Sequence, residues 1–568
     1  MQTIGKQTCG KTWQPLWLLV MAVLIMGIAT NTIALWDQDE AAYLGFAQRM
    51  LETGQWWIPE FLWSEVHRKP PLQFWVMAGS LAGLGGTVWA ARLPSWVAVG
   101  LTGWVLWRWG RGVWGEAIAQ RAALILLTSW ILPNLGRLAL TDALLVLWET
   151  VAMLAMVRGV RSPHGSWPLW LWGAMALGVL TKGPPILILV GGSGLFWWFL
   201  GTGSDRQGLR QLHPEFGLPL ALVPFGVWGW MTWRLDGGAL LRWLGDWYVL
   251  RRVGGEVVFG QWGPPGYFLG VFAIAFLPWL PWFGAALGPA MRRWRSPTQL
   301  PLTAWIVAGW LLYELIPSKL PSYALGAYPA IAILIAQTSL APPGAQRMKR
   351  WFQVGFGGAI LFTLGLLGTL MIVPAIAVLP LAIGWMAGAV GVYRLSQSGQ
   401  GSRAFTLATV NAVVFLLILW GIALPSLEPD RSGSVQIAQA IAAHTAPDTV
   451  VLLGDRFDLP SIPAYLHQHH RTYRASTTAQ ILAQLQGPDP VAIITRDPEQ
   501  RAAISAIAPN SHTTAITAWF DTFGQPQTYW VMTPAKPAVA ATRYDFLADA
   551  HPSKLNHARR TSEKNNPP

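Results

Sequence analysis

The chain holds one cysteine, Cys9, in 568 residues. That excludes an intramolecular disulfide and a thiolate-rich metal centre. Charge is scarce as well. Asp, Glu, Lys and Arg make up 12% of the residues, about half the share usual in a soluble globular protein. Acidic residues are the rarest and are unevenly spread. None precedes Asp37, and between Gln261 and Leu427 there is one, Glu314. What the chain does have is apolar sequence. It is 53% hydrophobic, and runs of about twenty apolar residues recur from Leu16 to about Ala423. Each such run is long enough to cross a hydrocarbon core of ~30 Å, so the class is an α-helical integral membrane protein.

The formal charge of +13 invites a nucleic-acid partner. The basic residues instead sit in short clusters between apolar runs, the pattern of a topological signal, and no nucleic-acid partner is expected. Spans are expected at about residues 14–35, 88–107, 117–136, 143–158, 166–181, 184–200, 217–233, 266–288, 300–316, 321–338, 351–372, 374–393 and 404–424. Lys6 and Lys11 precede the first run, which reaches Leu35 without a small-residue cleavage site and so reads as an uncleaved helix. With the N-terminus cytoplasmic, these thirteen spans place basic residues in every inside loop: Arg108 and Arg111; Arg158 and Arg161; Arg206 and Arg210; Arg292, Arg293 and Arg295; Arg347, Lys349 and Arg350; Arg394 and Arg403. Residues 70–86 are also apolar. They are read as lying along the interface, because one more span there reverses every later loop.

The pattern changes near Pro425. The expected division is a membrane domain over 1–425, a small soluble α/β domain over 426–535 and a disordered tail over 536–568. Short β-like runs at 449–453, 491–495 and 528–532 alternate with helical stretches at Ser461–His470, Thr478–Gln486 and Pro498–Ile507. The span count puts this domain outside the cytoplasm, so the expected location is the plasma (inner) membrane, multi-pass. His467, His469 and His470 cluster there and read as a solvated helix end rather than a metal site.

The carboxylates concentrate after the first span, where Trp36-Asp37-Gln38-Asp39-Glu40-Ala41-Ala42-Tyr43 crowds three negative charges at a bilayer surface. Asp39 reads either as the N-cap of a helix over 40–52, with Glu40 in its first turn, or as a functional acid. Arg68 and Lys69 follow in Val66-His67-Arg68-Lys69-Pro70-Pro71. They are cations on the outer side, suited either to lipid headgroups or to a phosphate. Asp142 in Leu140-Thr141-Asp142-Ala143, Lys182 in Thr181-Lys182-Gly183-Pro184, and Lys319 with Tyr323 in Lys319-Leu320-Pro321-Ser322-Tyr323 fall on the same expected face. Arg251 and Arg252 also fall outside, where topology gives no reason for them. Together these residues outline a site for an anionic substrate with a carboxylate base.

The order of these motifs resembles one family. Asp39-Glu40-x-x-Tyr43, Met50-Leu51-Glu52-Thr53-Gly54, Lys69-Pro70-Pro71-Leu72 and Ala90-Ala91-Arg92-Leu93-Pro94-Ser95 are followed by the segments at 140–145, 181–184 and 319–323. In that order they resemble the GT-C membrane glycosyltransferases related to protein O-mannosyltransferases and to the lipid A aminoarabinose transferase. The resemblance implies a multi-spanning bundle whose first outer loop, 36–87, carries the catalytic aspartate, Asp39. It implies a polyprenyl-phosphate sugar donor, inversion at the anomeric carbon, and a lipid, protein or glycan acceptor. The chain departs from close relatives of the aminoarabinose transferase at Ala42, at Arg68 and in the histidine-free stretch Gln261–Tyr267, so the resemblance does not extend to a particular sugar or acceptor.

On this reading Asp39 is the base and Asp142 a second catalytic carboxylate. Glu40, Tyr43, Arg68, Lys69, Lys182, Arg251, Arg252, Lys319 and Tyr323 contact substrate, with the cations on the phosphate. No cofactor is required. The Asp37-x-Asp39 spacing leaves a divalent metal open. The alternative is a transporter or flippase of lipid-linked sugars, for which internal repeats are expected and none is seen.

Overall fold

The computed structural model describes residues 33–36, 38–62, 64–162, 165–370, 378–426, 433–447, 449–454, 459–466, 470–475, 477–487, 489–519 and 526–534. Most of the expected first span, Asp37, Trp63, His467, His469 and the tail over 536–568 lie outside the described residues. The chain divides into two compact units. The larger holds Ser95–Arg137 and Thr141–Gly421; the smaller holds Ala29–Pro94, Leu138–Leu140 and Ile422–Pro568. The first outer loop thus shares a unit with the C-terminal domain instead of belonging to the membrane bundle.

The larger unit is a helical bundle, as the apolar runs require. Helices form where spans are expected, among them Glu116–Leu127, Thr141–Arg161, Trp167–Lys182, Pro185–Leu200, Pro214–Asp236, Tyr328–Leu340, Ala345–Thr369, Val378–Gln397 and Gly401–Ile418. In hydrocarbon the backbone satisfies its own polar groups, and a helix does so within one segment. Among the described residues five helices are long and apolar enough to cross a membrane, or six if the Tyr267–Ala275 and Leu277–Arg293 pair, bent by 82°, is one broken span. Among the other expected spans, Val88–Trp114 and Pro214–Asp236 are long enough but less apolar, and Pro185–Leu200 is shorter. Thr141–Arg161 is central to this unit: 83% of its most apolar window is buried, against 17% for Ala345–Thr369. The latter exposes Val354, Leu361 and Leu364, a face suited to lipid tails. Small residues allow the tight packing of Tyr328–Leu340 on Glu116–Leu127: Ala119, Ala122, Ala123, Ala330, Ala332 and Ala336 are all buried.

In the smaller unit the C-terminal sheet has five strands in the order β2-β1-β3-β5-β4. They are β1 (Val450–Leu453), β2 (Arg471–Arg474), β3 (Val491–Thr495), β4 (His512–Trp519) and β5 (Pro526–Thr533). β2, β1 and β3 run parallel, and β5 pairs antiparallel with both β3 and β4. The helix Thr478–Leu485 opens with a capping box between Thr477 and Gln480, and Asp497 caps Pro498–Ile507. Side chains alternate across the sheet, so Leu452, Val491 and Ile493 pack on one face with Ile481 and Ile504. Val451, Leu453, Ala492 and Ile494 face the other way. They join a core that also holds Tyr43, Phe46, Phe74, Met77 and Ala91 from the first outer loop and the helices after it. Leu35 N–H donates to the Tyr465 hydroxyl at 2.7 Å within this core. His470 is buried, with Nε2 2.9 Å from Thr445 Oγ1, so it is not the solvated helix end expected of it.

Tyr465→Phe removes the acceptor for a buried backbone N–H, which costs ~1–3 kcal/mol. We expect a lower melting temperature for the detergent-solubilised variant; an unchanged melt contradicts the shared core.

Candidate active site

Two clusters of charge stand out, one in each unit. In the smaller unit the helix Asp39–Thr53 begins at Asp39, with Gln38 before it at φ 70° and no side-chain cap. The capping role weighed for Asp39 is therefore not the one it plays. A non-glycine residue in the left-handed region stores strain, and here it sits directly before the candidate base. Asp39 is half exposed, and its Oδ1 lies 3.0 Å from His67 Nδ1. His67 is the more buried of the two and so fixes the carboxylate's direction. The next residue, Glu40, is fully buried. Its Oε1 accepts from Arg92 Nε and from Ala139 N–H, each at 2.8 Å. Its Oε2 accepts from Arg92 Nη2 at 2.9 Å and from Trp36 N–H at 2.8 Å. Arg92 also donates to the carbonyls of Ile33 and Ala34. Glu40 thus ties the loop to Arg92 and to Ala139 rather than facing a ligand. Tyr43 packs against Phe46 and Phe74 in the core. Arg68 Nε donates to the Pro59 carbonyl at 2.8 Å, and Lys69 is buried.

In the larger unit Asp142 lies in the first turn of Thr141–Arg161, where a carboxylate suits the helix dipole. Lys182 ends the helix Trp167–Lys182, which Gly183 breaks at φ 84°. The two side chains meet: Lys182 Nζ donates to Asp142 Oδ1 at 2.7 Å. The same ammonium lies 6.0 Å from the centre of the Tyr323 ring, and the Arg252 guanidinium lies 5.5 Å from it. Arg252 also covers Tyr248 at 5.2 Å. Two cations therefore flank one aromatic ring beside a carboxylate. Burial holds the Arg252 guanidinium below its ordinary pKa, opposed by Tyr248, yet an arginine stays charged at neutral pH. Arg251 points elsewhere. It donates to Asp246 at 2.8 Å, stacks on Trp247 and lies near Glu256, and the Asp246 hydrogen bond raises its pKa. The Lys319 ammonium donates to the carbonyls of Gly263 and Ile316, which pins the 261–263 segment to the 316–319 turn. Sequence reasoning missed His67 as the partner of Asp39, and Arg92 as the buried counter-ion. The signal for Arg92 was a lone cation inside the apolar run Val88–Val99. Among the described residues no three His, Cys, Asp or Glu side chains gather to hold a metal ion.

Glu40→Gln leaves Arg92 buried without its counter-charge, at a cost of ~3–5 kcal/mol. It is expected to lower the melting temperature sharply, whereas Asp39→Asn, half exposed, keeps it near wild type. Equal melts for the two variants contradict this division of labour.

The chain is similar to several known proteins. The family described as dolichyl-phosphate-mannose-protein mannosyltransferase matches residues 68–230. An undecaprenyl phosphate-alpha-4-amino-4-deoxy-L-arabinose arabinosyl transferase from Pectobacterium carotovorum is 27% identical over 436 residues, 72% of this chain and 75% of that protein. One of the same description from Sodalis glossinidius is 28% identical over 334 residues, 54% of this chain and 56% of that protein. The crystal structure of ArnT from Cupriavidus metallidurans bound to undecaprenyl phosphate superposes with a TM-score of 0.76 at 18% identity, covering 94% of this chain and 100% of that one. These likenesses favour the transferase reading over the transporter alternative. In sequence the chain is similar to the aminoarabinose transferases and, over residues 68–230, to the protein O-mannosyltransferases, and it shares the fold of ArnT.

Proposed function

We propose that the chain transfers a sugar from a polyprenyl monophosphate to a hydroxyl acceptor at the non-cytoplasmic face of the plasma membrane. On this reading the N-terminus is cytoplasmic and the C-terminal sheet domain lies outside, as the basic loops favour. The observation that carries the proposal is the pair of cations, Lys182 and Arg252, gathered at the Tyr323 ring beside Asp142. A guanidinium and an ammonium gathered at one aromatic ring suit a phosphate oxyanion.

The chemistry assigned is a single displacement with inversion. The acceptor oxygen attacks the anomeric carbon, and its proton passes to the Asp39 carboxylate, which His67 orients. The bond between the anomeric carbon and the phosphate oxygen breaks, and the polyprenyl monophosphate leaves with both electrons. Lys182 and Arg252 stabilise the charge that grows on the phosphate, with Lys69 and Arg68 as further cations for the anionic substrates. Asp142, once released from Lys182, serves the acceptor or the oxocarbenium-like charge of the sugar. Lys319, Arg251, Tyr43 and Glu40 shape their surroundings. No metal is needed in this scheme, because cations of the chain neutralise the phosphate; a divalent ion remains an addition that metal-chelator treatment tests. The names of the relatives point to an undecaprenyl-linked amino sugar as the first donor to try.

Purified protein in liposomes, given radiolabelled polyprenyl-phosphate sugars and native membrane extract, is expected to move label to an acceptor. Asp39→Asn should lower turnover ~10²–10⁴-fold while still binding donor. Equal turnover by both proteins overturns the role of Asp39. Arg252→Lys, which keeps the charge but loses the planar fork, should weaken polyprenyl phosphate binding while leaving the melt unchanged; wild-type affinity contradicts the assignment.

A further inference from the structure

The helices Val88–Trp114 and Thr141–Arg161 both end on arginines that the displacement step does not use. Arg158 follows Asp142 along one helix by about 24 Å, so it stands at the opposite membrane face. Arg108 and Arg111 are one turn apart on the other helix, and both are exposed. The same side of that helix carries Val97, Leu101 and Trp104, all exposed, at the spacing of a single stripe. An apolar strip therefore leads straight to two arginines. A third cation joins them from the neighbouring helix. Arg158 Nη1 donates to the Trp109 carbonyl at 3.2 Å, and any side chain on Gly112 would run into the same nitrogen. The guanidinium thus rests on the turn that bears Arg108 and Arg111. Its carbon lies 4.5 Å from the centre of the Trp167 ring, and Trp167 meets Trp109 edge-on at 5.3 Å. Arg111 approaches Glu116 at 3.9 Å with both side chains partly exposed, a weak pair, and Trp107 and Gln120 also donate to that carboxylate. Among the described residues neither Arg108 nor Arg158 has a carboxylate partner.

We propose that this end of the bundle binds one anionic phospholipid, with its phosphodiester on Arg108, Arg111 and Arg158 and an acyl chain along Trp104, Leu101 and Val97. On the orientation proposed above the lipid belongs to the cytoplasmic leaflet. Guanidinium groups match phosphate oxygens in charge and in planar geometry. The exposed strip selects a lipid over a soluble phosphate ester, because only a lipid brings a chain to cover it. Indole rings such as Trp109 and Trp167 suit the headgroup level, where one edge is wet and the other apolar. The positive-inside rule explains why arginines stand at this face, but it counts charge and asks for no arrangement. It gives no reason for Arg158 to cross to the neighbouring helix and settle between the Trp109 carbonyl and the Trp167 ring. Basic pockets between helices on the cytoplasmic side are suited to anionic headgroups. A lipid held there bridges two helices, one of which carries Asp142 at its other end.

The test is native mass spectrometry of the full-length protein in detergent, titrated with phosphatidylglycerol or with phosphatidylcholine of the same chains. One phosphatidylglycerol is expected to bind about tenfold or more tighter than phosphatidylcholine, whose ammonium cancels the phosphate charge. Arg108→Gln combined with Arg111→Gln removes two exposed cations and should weaken phosphatidylglycerol roughly 30-fold. Both side chains are exposed, so the lipid-free melt of that variant should match wild type. Arg292→Gln combined with Arg293→Gln removes equal charge from the same expected face and should leave the affinity unchanged. Equal affinity for the two lipids overturns the proposal, and so does an equal loss in the two double variants, which would mark a general attraction to a basic surface. Glycerophosphoglycerol, the headgroup without chains, should bind far more weakly; affinity equal to that of the whole lipid also overturns it. None of these readouts involves turnover, so their failure leaves the transferase reading untouched.

Discussion

The ion pair between Glu40 and Arg92 is buried almost completely, and it organises the segment after the first span. Away from water a carboxylate and a guanidinium are stable only when every lone pair and N–H is used. Here they are. The Glu40 oxygens take two backbone N–H groups besides Arg92, and the spare guanidinium donors go to Ile33 and Ala34. The consequence for function is direct. Glu40 faces inward and cannot turn, so its neighbour Asp39, one residue earlier on the same turn, is held facing His67 and solvent. A buried structural acid next to a half-exposed one lets a single loop be both rigid and chemically available.

The same constraint is resolved differently in the larger unit. Asp142 and Lys182 form one short contact with each other, with Tyr323 at the side of the lysine. This pair is satisfied without a ligand. Arg252 lies in an aromatic slot between Tyr248 and Tyr323. It uses ring faces, and the Trp247 carbonyl, rather than a carboxylate. A guanidinium with no carboxylate beside it keeps its charge for an anion. Arg251, one residue away, is committed to Asp246 and Glu256.

Much of the fold was legible because apolar runs near a membrane have one backbone solution. Helices appear where the runs lie. Their interruptions are less visible: the 82° bend near Leu277-Pro278 reads in the sequence as one uniform span. The strands β1, β3 and β5 were found from their apolar composition. The edge strands β2, reading Arg-Thr-Tyr-Arg, and β4, starting His-Thr-Thr, were not, because a sheet edge facing solvent has no apolar signature. For the candidate site, residue type and rarity singled out Asp39, Asp142, Lys182 and Arg252. They did not reveal who pairs with whom. Glu40 and Arg92 lie 52 positions apart, and Asp142 and Lys182 lie 40 apart. Lys319 looks in sequence like Lys182, since both stand before a proline-containing turn, yet its ammonium goes to backbone carbonyls.

The central claim is that Lys182 and Arg252 receive the donor phosphate and that the Asp142–Lys182 contact opens to do so. A structure of the protein with a non-cleavable polyprenyl phosphonate-sugar analogue tests it most directly. The account predicts phosphonate oxygens within ~3 Å of the Lys182 ammonium and the Arg252 guanidinium, with the Asp142 contact broken. A phosphonate bound elsewhere, with Lys182 still 2.7 Å from Asp142, would contradict it.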